Sequence, residues 1–146
     1  MDQRLSIITL GADNLSAMKQ FYVEKFGWKL EAAAKDISFF KLNGLLLGIY
    51  GRKDMAAWIG TSPEGSGFRP YAFAYMVDSK AEVENLYKEF ISKDIKIIKE
   101  PSEPPFGGYY FLISDVEGNI WDIAYNPLMT LDGNGNVTSH KNIDNL

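Results

Sequence analysis

Cysteine is absent from the 146 residues, which excludes disulfides, thiolate catalysis and cysteine-held metals. Histidine occurs once, at His140 near the end of the chain, where a solvated surface position is expected. There are only three arginines (Arg4, Arg52 and Arg69), and the net charge is −4. No basic stripe is available to track a phosphate backbone, so nucleic acid is not an expected partner. The longest apolar runs are of strand length, so neither a membrane span nor a signal peptide is visible, no membrane partner is expected, and the expected location is cytoplasmic. What remains is an ordinary globular balance, with 46% hydrophobic and 23% charged residues. Aromatics reach 14%, enough for a substantial core and an aromatic-lined pocket.

The chain carries an internal duplication. Asp13 precedes a helical stripe of Met18, Phe21, Tyr22 and Phe26, and Asp78 precedes Val83, Leu86, Tyr87 and Ile91. Each second residue stands 65 positions after its counterpart. Such self-similarity sets the architecture before any single residue is read. Residues 4–11 read as a strand, and Asp13 or Asn14 can cap the helix that follows to about Phe26. Strands are expected near 28–33, 37–42 and 45–51, the last pair turning at Asn43-Gly44, where both positions tolerate positive φ. The second half repeats the order. A strand at 71–77 precedes a helix opened by the capping box Ser79 and Glu82, and strands follow near 95–99, 109–114 and 119–125. Each module thus reads βαβββ. Residues 53–69 are expected to be an exposed loop with at most a short helical turn, and 101–108 a Pro- and Gly-rich loop. The tail beyond Pro127 is expected to be extended and partly mobile. Within it, Asp132, Asn134 and Asn136 imitate a calcium loop, but Val137 and Ile143 replace its required Gly and Glu, so a plain turn is expected.

Alternation along the strands separates a large-residue face from a small one. Tyr71, Phe73, Tyr75 and Val77, with Trp121, Ile123 and Tyr125, are expected to pack on the helices. The opposite face holds Gly48, Ala72, Ala74 and Ala124 beside Asp122, and small side chains leave the open volume that a ligand cleft requires.

The opening ITLGADNLSAMKQFY and the closing GGYYFLISDVEGNIWDIAYNP resemble the vicinal oxygen chelate superfamily of glyoxalases, bleomycin and fosfomycin resistance proteins and extradiol dioxygenases. The resemblance spans roughly residues 4–127, and the tail after Pro127 is similar to a glyoxalase-like subgroup of mostly uncharacterised bacterial proteins. It implies an α+β fold in which two tandem βαβββ modules form a curled mixed sheet around a shared cleft. One glyoxalase-like domain would cover 1–127, with modules at about 4–51 and 70–126 and an extended tail over 128–146. In metal-dependent relatives four cleft positions supply His, Glu or Gln ligands. By the motifs, these fall on Ile7, Gly48, Ala72 and Asp122. Three of the four have no donor atom in the side chain, while such chemistry needs three or four ligands. No metal site and no cofactor are therefore expected, and His140 matches no ligand position.

Asp122 is the candidate catalytic group: an acid/base or hydrogen-bonding carboxylate, whose pKa an apolar cleft would raise. Tyr50, Arg52, Trp58, Ala72 and Phe106 join it as ligand-binding candidates. Tyr50 would wall the cleft, Arg52 would meet Asp122 or an anion, and Trp58 would act as a lid or subunit contact. Phe106 would flank the cleft from the second module, and Trp121 is expected in the core. The expected function is metal-free binding of a small organic ligand in the cleft between modules, as bleomycin-resistance relatives sequester an antibiotic. The alternatives are a metal-independent lyase or isomerase using Asp122, and a structural or regulatory protein with a vestigial cleft. By analogy with the superfamily, the chain could form a homodimer.

Overall fold

The computed structural model describes residues 3, 5–105 and 107–143 and divides into two compact units, one up to Phe68 and one from Arg69. The first runs β1 (Ile7–Ala12), α1 (Leu15–Glu24), β2 (Leu30–Ala33), β3 (Ile37–Lys41), β4 (Leu46–Gly51) and α2 (Arg52–Ile59). The second runs β5 (Phe73–Val77), α3 (Lys80–Ser92), β6 (Lys96–Ser102), β7 (Tyr109–Ser114), β8 (Ile120–Tyr125), β9 (Met129–Leu131) and β10 (Val137–His140). Each unit holds one open four-stranded mixed sheet, ordered β1-β4-β3-β2 and β5-β8-β7-β6. The parallel pair is β1 with β4 in one and β5 with β8 in the other. Two tandem βαβββ modules in an α+β fold are the result.

The duplication extends to register. Thr9 lies opposite Gly48, and Ala74 opposite Asp122. On the other flank Phe39 faces Gly48 and Leu112 faces Asp122. Gly48 and Asp122 thus occupy the same place in the two sheets.

Helix α1 begins where the Asn14 side chain accepts the Ala17 N–H at 2.9 Å, leaving Asp13 free of the capping role. Gly27 stops it: its φ of +70° lets the Trp28 N–H reach the Tyr22 carbonyl at 3.0 Å. Trp28 then stacks on Tyr22 with centroids 5.3 Å apart, and Met18, Phe21, Tyr22, Phe40, Leu47 and Ile49 close the core between helix and sheet. In the second unit Ser79 Oγ accepts from Glu82 N–H at 3.2 Å, as the expected capping box requires, while the Glu82 carboxylate reaches one residue further back and accepts from Asp78 N–H at 2.8 Å. Phe111 meets Tyr87 and Phe90 edge-on, and Trp121 and Ile123 are buried beside it.

Several expectations are corrected. The buried α3 stripe ends on Phe90, while Ile91 is 52% exposed, because a spacing of seven from Val83 returns to the same side of a helix and eight overshoots it. Tyr75 is half-exposed because β5 is an edge strand, with a sheet neighbour on only one side. Residues 52–59 form a full helix in place of a loop. Its start is a run of good helix formers, and Gly60 (φ +81°) closes it with bonds back to Ala56 and Ala57. The β6 strand continues through Pro101 to Ser102, which its place at the sheet edge permits. At Asn43-Gly44 only Gly44 takes positive φ. Beyond Pro127 the chain folds into an antiparallel β9–β10 hairpin. The Asp132 carboxylate makes that turn by accepting from Asn134 N–H (2.8 Å), Asn136 N–H (2.9 Å) and Asn136 Nδ2 (2.9 Å). These bonds hold Asp132 below the ordinary carboxylate range and leave a turn where a calcium loop was dismissed. His140 is exposed on β10, as expected.

Candidate functional site

Asp122 stands in the middle of β8, between Ala74 on β5 and Leu112 on β7. Its neighbours Trp121 and Ile123 turn into the core against Phe73 and Phe111, so alternation turns Asp122 to the face away from α3. That face opens into a pocket of about 250 Å³ lined by Met76, Pro104, Tyr109, Tyr110, Asp122, Ala124, Tyr125 and Asn126. Oδ1 of Asp122 is buried and has no hydrogen-bond partner. Desolvation pushes the carboxyl above its ordinary pKa, because nothing there compensates the charged form.

Two residues on the Asp122 face were not singled out from the sequence. Tyr110, on β7, shares its face, and Lys99 on the neighbouring β6 hydrogen-bonds the Tyr110 hydroxyl with its ammonium 4.5 Å from the ring centroid. Lysine has only donors, so the phenol oxygen accepts and its own proton is left for another acceptor. The Lys99 bond, and secondarily the adjacent Ser102 hydroxyl, pull the Tyr110 phenol below its ordinary pKa. Oγ of Ser102 is itself buried and makes no hydrogen bond of good geometry. Tyr109 differs: its hydroxyl donates to Glu84 on α3, which raises its pKa. Adjacent tyrosines therefore have opposite acid–base tuning because strand alternation gives them opposite faces.

The remaining candidates are dispersed. Ala72 is exposed just before β5, in the second unit with Asp122. Tyr50, Arg52 and Trp58 belong to the first. Tyr50 is half-buried at the end of β4, on the Gly48 face. Arg52 opens α2 instead of continuing the strand, and its guanidinium ties the connection together. It donates to the carbonyls of Pro63 and Gly65, both at 2.8 Å, and meets Asp13 at 3.4 Å. Trp58 is 75% exposed on α2. Phe106 lies outside the described residues.

The four positions that metal ligands would occupy can be tested directly. At Gly48, a Cβ would stand 3.1 Å from both the Phe39 ring and Thr9 Oγ1, so aromatic and hydroxyl atoms cover the place where a ligand side chain would start. Ile7 and Ala72 offer only aliphatic groups, leaving Asp122. Among the described residues, no three of His, Cys, Asp and Glu gather closely enough to hold a metal ion. No helix among them is long and apolar enough to cross a membrane.

Known proteins agree with the fold. A glyoxalase-related enzyme from Fulvimarina pelagi superposes with a TM-score of 0.84 at 30% identity, covering 94% of this chain and 99% of that one. A glyoxalase/bleomycin resistance protein/dioxygenase from Nocardioides gives 0.74 at 17% identity, covering 86% and 84%. Lactoylglutathione lyase from Agrobacterium tumefaciens gives 0.68 at 21% identity, covering 86% and 95%. The last two likenesses speak for the fold alone. No curated protein matches the chain. Residues 4–123 match the family model, and with the duplicated register this chain belongs to the Glyoxalase/Bleomycin resistance protein/Dioxygenase superfamily.

Proposed function

We propose that this chain is a metal-free member of its superfamily that binds a small organic ligand against the Asp122 face of its second sheet. One observation carries the reading: a carboxyl with a buried, unpartnered oxygen stands in a pocket that Tyr110, Ala124 and Met76 line from the same face of the sheet. Buried polar atoms are almost always paired, and an orphan in a pocket marks a place for a ligand group. The donor-free side chains at three of the four ligand positions, and the covered Gly48, support binding without a metal.

A second reading has an observation of its own. Desolvation of Asp122 moves its pKa toward the range in which carboxyls exchange protons with substrates. This favours a metal-independent lyase or isomerase with Asp122 as acid/base.

A fragment screen by thermal shift in the presence of chelator tests the proposal. A ligand at a hundredfold excess over Kd should add about 2.7 kcal/mol of stability, and amide shifts should cluster at Tyr110, Asp122 and Ala124. Ligands that bind only after metal is added, or that perturb other residues, contradict it. Asp122→Asn separates the two readings: binding of a neutral apolar ligand survives the change, whereas turnover does not.

A further inference from the structure

We propose that the Asp122 pocket takes a small organic cation, one apolar ring carrying a single ammonium group, with the Asp122 carboxylate as its counter-ion. The inference rests on the ligand-binding reading above and specifies the charge and size of the occupant.

The charges at the site point to a cation. Among the described residues the lining holds the Asp122 carboxylate and no Lys, Arg or His. Oδ1 of Asp122 is shut off from water and has no hydrogen-bond partner, so the protein leaves its charge uncompensated. A buried charge without a partner is costly, and here the compensation has to come from whatever occupies the pocket. The two lysines at this end are engaged elsewhere: Lys80 binds Glu103 at 2.6 Å, and Lys99 donates to the Tyr110 hydroxyl. No ion pair joins either of them to Asp122 among the described residues. Glu84 is taken up by Tyr109, and Glu100 on β6 is exposed, so Asp122 is the carboxylate left for a ligand. An ammonium beside it favours the ionised carboxyl and opposes the effect of burial. Its N–H bonds to the carboxylate belong to the strong, charge-assisted class. A metal ion is not the match, because one carboxylate is too small a ligand set and the described residues gather no other.

The walls and the volume define the rest of the molecule. Met76 and Tyr110 line the pocket from the Asp122 face, and Tyr109, Tyr125 and Pro104 lie alongside. Tyrosine rings attract cations, and two of these already do: Lys99 Nζ lies 4.5 Å from the Tyr110 centroid and Lys80 Nζ 5.9 Å from that of Tyr109. Tyr125 has no such cation among the described residues, which leaves one ring for a ligand ammonium. The Met76 thioether and the Pro104 ring suit the apolar body. A volume of about 250 Å³ falls below the roughly 300–1,000 Å³ of sites for drug-sized ligands. A single ring with one ammonium group is of the right scale.

The test is calorimetric titration of the full chain at neutral pH with benzylamine, benzyl alcohol and benzoate, three probes of similar shape that differ in charge. Benzylamine should bind at least about tenfold more tightly than benzyl alcohol, and benzoate least, as expected when a hydrogen bond gains a charged partner. Asp122→Asn keeps the shape and removes the charge. It should weaken benzylamine by roughly ten- to a hundredfold, the worth of a hydrogen bond to a charged group, and leave benzyl alcohol nearly unchanged. Circular dichroism checks that the variant is folded, and the ranking of the three probes on the wild-type chain decides the matter without it. Amide shifts on adding benzylamine should centre on Asp122 and Ala124. If benzyl alcohol or benzoate binds as well as benzylamine, or if Asp122→Asn binds benzylamine as wild type does, the inference is wrong while the ligand-binding reading stands. Binding of none of the three overturns the inference. Failure of the whole fragment screen as well removes the reading beneath it.

Discussion

Replacing Asp122 with Asn tests the electrostatics of the site without changing its shape. The wild-type carboxyl is raised above its unfolded pKa because folding removes water from it and supplies no partner. The sign follows: the folded state holds the proton more tightly, so stability falls as pH rises above the unfolded value of about 3.9. The loss is complete once the pH exceeds the folded pKa. Asparagine carries no charge at any pH and is isosteric with the protonated acid. A buried polar atom without its bond costs roughly 1–3 kcal/mol. Here only one oxygen is fully buried and the residue as a whole is half-buried, so solvent screening places the cost at the low end, about 1 kcal/mol. Urea denaturation of both proteins at several pH values between 4 and 8 is the assay. Asp122→Asn should gain about 1 kcal/mol over wild type at pH 7 relative to the difference at pH 4. A pH-independent difference, or an Asn variant that loses ground as pH rises, would mean that Asp122 has a partner and is not desolvated.

Other consequences follow from single contacts. Asn119→Ala removes an acceptor that takes Arg69 at 2.6 Å and Tyr71 at 2.8 Å and a donor to Asp115 at 2.7 Å; a loss of roughly 2–3 kcal/mol is expected in chemical denaturation, and a neutral result would show the network is dispensable. Gly48→Glu, which would place a carboxylate opposite Thr9, should cost about 1–3 kcal/mol by displacing the Phe39 ring and should not create a zinc or nickel site by calorimetry; unchanged stability would show that the ring does not cover this position. The Asp132 turn depends on an ionised carboxylate, so its bonds are intact above the unfolded value of about 3.9 and fail as pH falls through the lowered folded one. The Asn134 and Asn136 amide resonances should report that transition at acid pH; insensitivity would separate the turn from the charge.

Much of the fold was readable because the chain repeats itself. The 65-residue offset anticipated that Thr9 and Ala74 would occupy matching places, and the paired registers confirm it. Helix capping at Asn14 and Ser79 and burial of Trp121 follow from local chemistry. Helix α2 escaped notice because the Gly, Ser and Pro of residues 60–67 dominate the composition of the connection, while its first eight residues favour a helix. The tail hairpin was missed because its strands are short, three and four residues, and depend on one aspartate in the turn. Within the site, Asp122 was found by motif and alternation. Tyr110 could have been found likewise, since antiparallel pairing across the Glu117-Gly118 turn puts it on the Asp122 face opposite Ala124. Lys99 could not: irregularities at Ile97–Lys99 and Lys99–Ser102 break the β6–β7 register, and a one-residue slip reverses a side chain's face. Arg52 was assigned by extending strand alternation past Gly51, where a helix starts and alternation no longer applies.

Elemental analysis of the purified protein, with thermal unfolding measured with and without chelator, tests the central claim most directly. Because the corresponding positions hold Ile7, Gly48 and Ala72 beside a lone carboxyl, substoichiometric metal and superimposable unfolding curves are expected. One equivalent of zinc, nickel, iron or manganese per chain, whose removal by chelator lowers the unfolding temperature, would contradict it.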